Sequence, residues 1–232
     1  MRWDVIIVIA TAIFGLAWLY RRDRRRTRHK RGAFFSDCLP LFERYRITQD
    51  DIYFPLLEGR YQGFEFHLEP LVDHVVFRKI PSLWLKVTLL APVRYGGSFD
   101  LLMRAQGSEF YSPFGEFEHR VTVPAGWPAD AAIGSDDPQA MPPVDLIAPH
   151  IRLFADPRMK ELLITPRGVR CVYQVQQAER IYYTVLRKIE FAEDRLPASL
   201  ARRLLDATLD VYRAVAPTAQ NYRRRFQEYS EN

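Results

Sequence analysis

The sequence predicts an α+β fold behind one membrane-spanning helix, and three observations carry that expectation. Residues 5–20 hold no charged side chain. Two segments, 64–68 and 169–175, alternate in-facing apolar residues with the period of a half-buried strand, and 82–90 reads as a further strand. A last apolar series before Pro217 recurs at three and four residues, the spacing of an amphipathic helix. Together they predict an N-terminal transmembrane helix, then a cytosolic domain. That domain is an antiparallel sheet packed by a C-terminal helix and by a short helix after the anchor.

The anchor comes first. Sixteen residues, Val5 to Tyr20, rise by about 24 Å as a helix, the short end of a span. Trp3 at one end, and Trp18 with Tyr20 at the other, suit the two membrane interfaces. A secretory signal has its cations before the apolar run, whereas here they follow it, so an uncleaved anchor is expected. Those cations begin Arg21, Arg22, Arg24, Arg25, Arg26 and continue to Arg31. Cations stay on the cytoplasmic side, so the N-terminus is expected outside and the rest of the chain inside. In a bacterium this is the inner membrane. The segment 21–31 should also attract anionic lipid headgroups, at about 1 kcal/mol per basic residue near the surface.

The same segment explains the overall charge. It holds eight Lys/Arg and one Asp, +7, against a whole-chain +5, and Arg2 cancels Asp4. Residues 32–232 therefore carry −2, which weakens a nucleic-acid reading, because such a partner wants a basic face on the domain itself, and no nucleic acid is expected. The expected organisation is a tail and anchor over 1–20, a basic juxtamembrane segment over 21–32, one α+β domain over 33–216 and a polar tail over 217–232.

Within the domain, Phe34, Phe35, Cys38, Leu41, Phe42 and Tyr45 recur at helical spacing and predict a short helix over 33–47. A strand at 64–68 is expected to continue as 72–78 after Pro70, followed by strands 82–90 and 99–103. Residues 106–149 are rich in Pro, Gly and aromatics; long irregular segments in compact domains are commonly functional. Short strands at 108–111 and 117–123 are expected there, then a helix over 144–155 interrupted at Pro149. Strands 160–164 and 169–175 flank the turn Thr165-Pro166-Arg167-Gly168, and 180–191 gives another strand. Pro197 opens the last helix, on which Leu200, Leu204, Thr208, Val211 and Val215 share a face, and Pro217 ends it.

Chemistry-bearing patterns are few. No phosphate-binding Gly-rich loop, nucleophile elbow or kinase set occurs, and no cofactor is expected. Cys38 and Cys171 stand too far apart in sequence to suggest a disulfide framework and suit buried, reduced thiols. His67 and Glu69 share one face of a strand and, with His119, form a weak metal-ligand set; Asp136-Asp137 is a second carboxylate candidate, better explained as a turn or cap. Phe110, Tyr111, Phe114, Phe117 and Trp127 are expected to be either core or a partner-binding patch. The pattern favours a non-enzymatic role: a membrane-tethered accessory, scaffold or assembly protein acting on a protein partner in the membrane or at its cytoplasmic face. The competing expectations are a membrane-anchored hydrolase using a metal or the carboxylates, and a domain binding an apolar ligand or lipid.

Overall fold

A computed structural model describes residues 3–73, 80–105, 107, 109–178, 183, 189 and 191–216, with side chains 4, 5 and 8 left out. The protein is a mixed α+β fold with one large antiparallel sheet and few helices. Helix α1 runs continuously from Trp3 to Gly32, thirty residues or about 45 Å. Among the described residues, no helix is long and apolar enough to cross a membrane, so the structure does not support the spanning anchor expected over 5–20.

Nine strands follow: β1 Arg44–Thr48, β2 Leu56–Tyr61, β3 Phe64–Val72, β4 Ser82–Leu90, β5 Phe99–Met103, β6 His119–Val121, β7 Ala131–Ser135, β8 Met159–Thr165 and β9 Gly168–Gln177. They form one sheet in the order β1-β2-β3-β4-β9-β8-β5-β7-β6, with every pair antiparallel. Helix α2, Val144–Ile147, passes into a 3-10 segment, Ala148–Ala155, and helix α3 covers Ala198–Val215.

Strand alternation divides the sheet into two faces. Phe66, Leu68, Leu85, Val87, Leu101, Leu162, Ile164, Val169 and Cys171 line the core face. Helix α3 closes it with Leu204, Leu205, Thr208, Leu209, Val211 and Tyr212, all buried. Cys38 and Cys171 are free and buried as well. Burial pushes their thiols up, to about 12 and about 11.

Several expectations need correction. No helix spans 33–47. Helix α1 ends at Gly32, and the chain then winds through consecutive tight turns, Ser36 N to Ala33 O, Cys38 N to Phe35 O and Leu41 N to Cys38 O. Turns with a three-residue period bury Phe34, Phe35, Cys38 and Phe42 at helical spacing without making an α-helix. From residue 44 the chain is strand, and Tyr45 is exposed. The strand at 64–68 is not broken at Pro70, because β3 runs through it to Val72. Strand β2 pairs with β3 only as far as Leu68, so Pro70 stands where β3 has become a free edge and no ladder N–H is needed on that side. Residues 109–111 form no strand. The strands expected at 72–78 (beyond Asp73) and at 180–191 (save 183, 189 and 191), and the tail 217–232, lie outside the described residues.

Strands β1, β2 and β7 carry weak signals. Strand β1 is exposed at all five positions, and β7 is the small-residue run Ala-Ala-Ile-Gly-Ser.

Candidate functional site

Two regions concentrate chemistry. The first is α1. Its N-terminal half exposes Ile7, Ile9, Ile13, Phe14, Leu16, Trp18 and Leu19, with Phe14 at 74%. Such an uninterrupted apolar surface on a folded chain marks contact with another protein or a membrane. Its C-terminal half is fastened to the sheet. Arg24 forms a forked pair with Asp51 at 2.9 and 2.6 Å, and Lys30 reaches Asp194 at 2.7 Å. Arg31 donates to the Ile52 carbonyl and lies over the Phe54 ring; burial there lowers its pKa. Gln49 Nε2 donates to the carbonyls of Arg28 and Tyr53. Gly32 permits the approach, because a Cβ there would stand 2.8 Å from Gln49 Oε1.

The expected interfacial residues Trp3, Trp18 and Tyr20 are exposed, as are Arg21, Arg22, Arg24, Arg25 and Arg26. The Arg22 guanidinium lies 5.4 Å from the Trp18 ring centroid, a cation–π contact.

The second region is the sheet face opposite α3. Register aligns Arg46, Glu58, His67, Thr88, Arg170, Leu163, Asp100, Gly134 and Arg120 in one row across all nine strands. The adjacent row contains Glu69, Lys86, Val172, Glu161, Leu102 and Ala132. Glu69 pairs with Lys86 at 3.4 Å. Glu161, with no exposed surface, receives Arg170 Nε at 3.1 Å, and Nη2 lies 3.0 Å away outside hydrogen-bond geometry. Asp100 is equally buried and accepts from Ser112 Oγ at 3.3 Å.

The segment 109–117 roofs part of this face. Tyr111 and Phe114 pack with Trp84, Leu102 and Val172 in a second apolar cluster. The Tyr111 ring lies 4.7 Å from that of Trp84, and burial raises the Tyr111 pKa. Arg120 donates to the carbonyls of Phe117 and Phe114 and sits 4.4 Å over the Phe114 ring. Beneath this roof Asp100 Oδ1, Glu161 Oε1 and Trp84 Nε1 find no hydrogen-bond partner among the described residues. Burial raises both carboxyl pKa values. For Asp100 the charge of Glu161 adds to it, while Arg170 works against the shift at each. With Arg170 hydrogen-bonded to Glu161 alone, a second negative charge beside it at Asp100 is disfavoured.

The sequence candidates do not converge. His67 and Glu69 are on β3, with His67 Nε2 buried and unpartnered among the described residues. His119 is exposed on the far edge strand β6. Burial works against the Asp136 carboxylate, but hydrogen bonds from the Ser98 amide and hydroxyl outweigh it and hold its pKa low. Asp137 accepts from the amides of Gln139 and Ala140, the turn geometry expected of Asp. No group of three or more His, Cys, Asp or Glu able to hold a metal ion occurs among the described residues.

Of the five aromatics, Tyr111 and Phe114 are buried, and Phe117 packs beside Phe114 over Gly134. Trp127 packs against the α3-side core. Phe110 remains 44% exposed, edge-on to Tyr111.

Sequence reasoning missed Asp100, Glu161, Arg170 and Trp84. A signal existed for the first two: each is the lone acid in an otherwise apolar stretch, Phe99–Met103 and Glu161–Ile164.

No family model matches the chain, and no curated protein matches it. Among solved structures the chain is similar to the crystal structure of the mycobacterial trehalose monomycolate transport factor A, TtfA. The two share 12% identity over 84% of this chain and 99% of that one, with a TM-score of 0.44. At that similarity the likeness carries no inference about function.

Proposed function

We propose that the chain is a membrane-tethered accessory protein that holds its sheet against the cytoplasmic face and presents it to a protein partner there. The observation that carries this reading is the division of labour along α1. One half exposes a continuous apolar surface that no other part of the described chain covers. The other half is pinned to the sheet through Arg24, Lys30, Arg31 and Gln49. The span itself rests on the sequence, where residues 5–20 are uncharged throughout. A continuous helix makes such a tether stiff, so the sheet takes a set distance and orientation from the bilayer. The cations at 21–31 orient the chain with its N-terminus outside.

The accessory role draws on an open edge. Among the described residues strand β1 has a partner only on its β2 side, and it is exposed along its length. An edge of this kind accepts an added strand.

Flotation of the full chain with phosphatidylcholine vesicles, followed by alkaline extraction, tests the tether. The protein should stay with the vesicles, and release into the soluble fraction would overturn the tether. Crosslinking followed by purification in mild detergent tests the partner. Recovery of the chain alone would overturn the accessory role while leaving the tether standing.

A further inference from the structure

The cations of α1 fall into two sets. Arg24, Lys30 and Arg31 are committed to Asp51, Asp194, and Ile52 with Phe54. Arg25, Arg28 and His29 are exposed and have no ion pair among the described residues. They lie at i, i+3 and i+4, on one face of the helix. Together with Gly32, Ser36 and Gln49 they line a cleft of about 490 Å³.

The cleft is built by the fold. The β1–β2 loop is drawn against the helix by the hydrogen bond from Gln49 Nε2 to the Arg28 carbonyl, and a second bond from the same amide to the Tyr53 carbonyl closes the loop on itself. The missing side chain at Gly32 leaves room for the Gln49 amide. The first tight turn after the helix then places Ser36, exposed, at the rim. The Gln49 amide donors are already used, so recognition falls to two guanidinium groups, an imidazole and a hydroxyl. Forked guanidinium donors around a small recess suit a phosphate.

Position indicates which phosphate. Arg25 stands about 8 Å, and Arg28 about 12 Å, along the helix axis beyond Tyr20. The headgroup layer extends about 5–8 Å beyond the hydrocarbon. Arg25 therefore meets its outer boundary, and the Arg28 side chain, which points back along the helix toward the N-terminus, extends toward it.

We infer that this cleft is a binding site for the phosphate of an anionic phospholipid in the leaflet that holds α1. The inference rests on the tether reading and goes beyond it. A diffuse basic segment attracts any negative surface, whereas a cleft retains individual lipids and depends on Arg25 and Arg28 more than on the other cations of the segment.

The test uses the full chain in nanodiscs of phosphatidylcholine doped with phosphatidylglycerol, with retained lipids counted by native mass spectrometry. Wild type should retain phosphatidylglycerol selectively. R25Q/R28Q should retain roughly tenfold less than the charge-matched R21Q/R26Q, the difference one charge-assisted hydrogen-bond set makes. R25K/R28K keeps the charge and loses the forked donors, and it should fall below wild type too. Equal losses in the two glutamine pairs, or full retention by the lysine pair, would overturn the site in favour of diffuse attraction. So would loss of bound lipid to inorganic phosphate as readily as to phosphatidylglycerol. Failure of the full chain to enter phosphatidylcholine discs would instead overturn the tether, a separate result.

Discussion

At the residue scale the most consequential arrangement is the buried pair Asp100 and Glu161. Asp100 faces Glu161 from β8, Arg170 from β9, Ser112 from the roof and Arg120 from β6, while Lys86 of β4 acts on Glu161. Its folded pKa is raised by burial first and by Glu161 second. A carboxyl raised on folding contributes stability that is complete below its unfolded pKa, about 4. That stability is lost as the pH climbs through the folded value. Asp100→Asn removes the titration and offers an amide donor to Glu161, whose Oε1 has no partner among the described residues. Urea denaturation should therefore give near-equal stabilities at pH 4, with the variant about 1–3 kcal/mol more stable at pH 8. A variant less stable than wild type at pH 8 would show that Asp100 is held ionised.

At the element scale the β8–β9 hairpin is the tightest point of the sheet. Only Pro166 and Arg167 separate the strands. Gly168 begins β9 at φ +155°, where a Cβ would stand 2.0 Å from the Leu89 carbonyl oxygen of β4. Backbone on both sides leaves no side chain to move aside. Gly168→Ala is expected to cost at least about 2 kcal/mol. It should also perturb the β4–β9 ladder, read as faster amide exchange at Leu89 and Val169. Exchange unchanged from wild type would contradict the close approach.

At the scale of the molecule, the question is how α1 is joined to the sheet. The joints at Arg24–Asp51 and Lys30–Asp194 are solvent-exposed, and such pairs each add about 1 kcal/mol or less. They serve orientation more than stability. The double variant D51N/D194N should change unfolding free energy by no more than about 1 kcal/mol. Trypsin cleavage within residues 21–31 should nevertheless rise several-fold, because the basic half of the helix loses its moorings. A large loss of global stability with unchanged cleavage would mean that the joints serve the fold itself.

What the sequence determined by itself was the set of elements whose pattern is local. The apolar run at 5–20 and its cations were legible as one helix, α1, but no helix among the described residues is long and apolar enough to cross a membrane. The alternation in 82–90 and the three-and-four spacing of 198–215 are each set by the face an element buries. The tight turns at 33–42 imitated a helix because both repeat near three residues, and only the hydrogen-bond pattern separates them. Strand β1 escaped notice because an edge strand with all its side chains in water has no alternation to show. The buried carboxyls were legible only as solitary acids in apolar strands. Their grouping is a matter of register between β5 and β8, which sets Asp100 opposite Leu163 and Glu161 opposite Leu102, so that two acids 61 residues apart lie in neighbouring rows of one face, and register is decided when the sheet assembles. The same holds for the cleft beside α1: the arginines were visible in the sequence as charge. Which of them the protein neutralises, and which it leaves facing outward, was decided by where Asp51, Asp194 and Gln49 arrive in the folded chain.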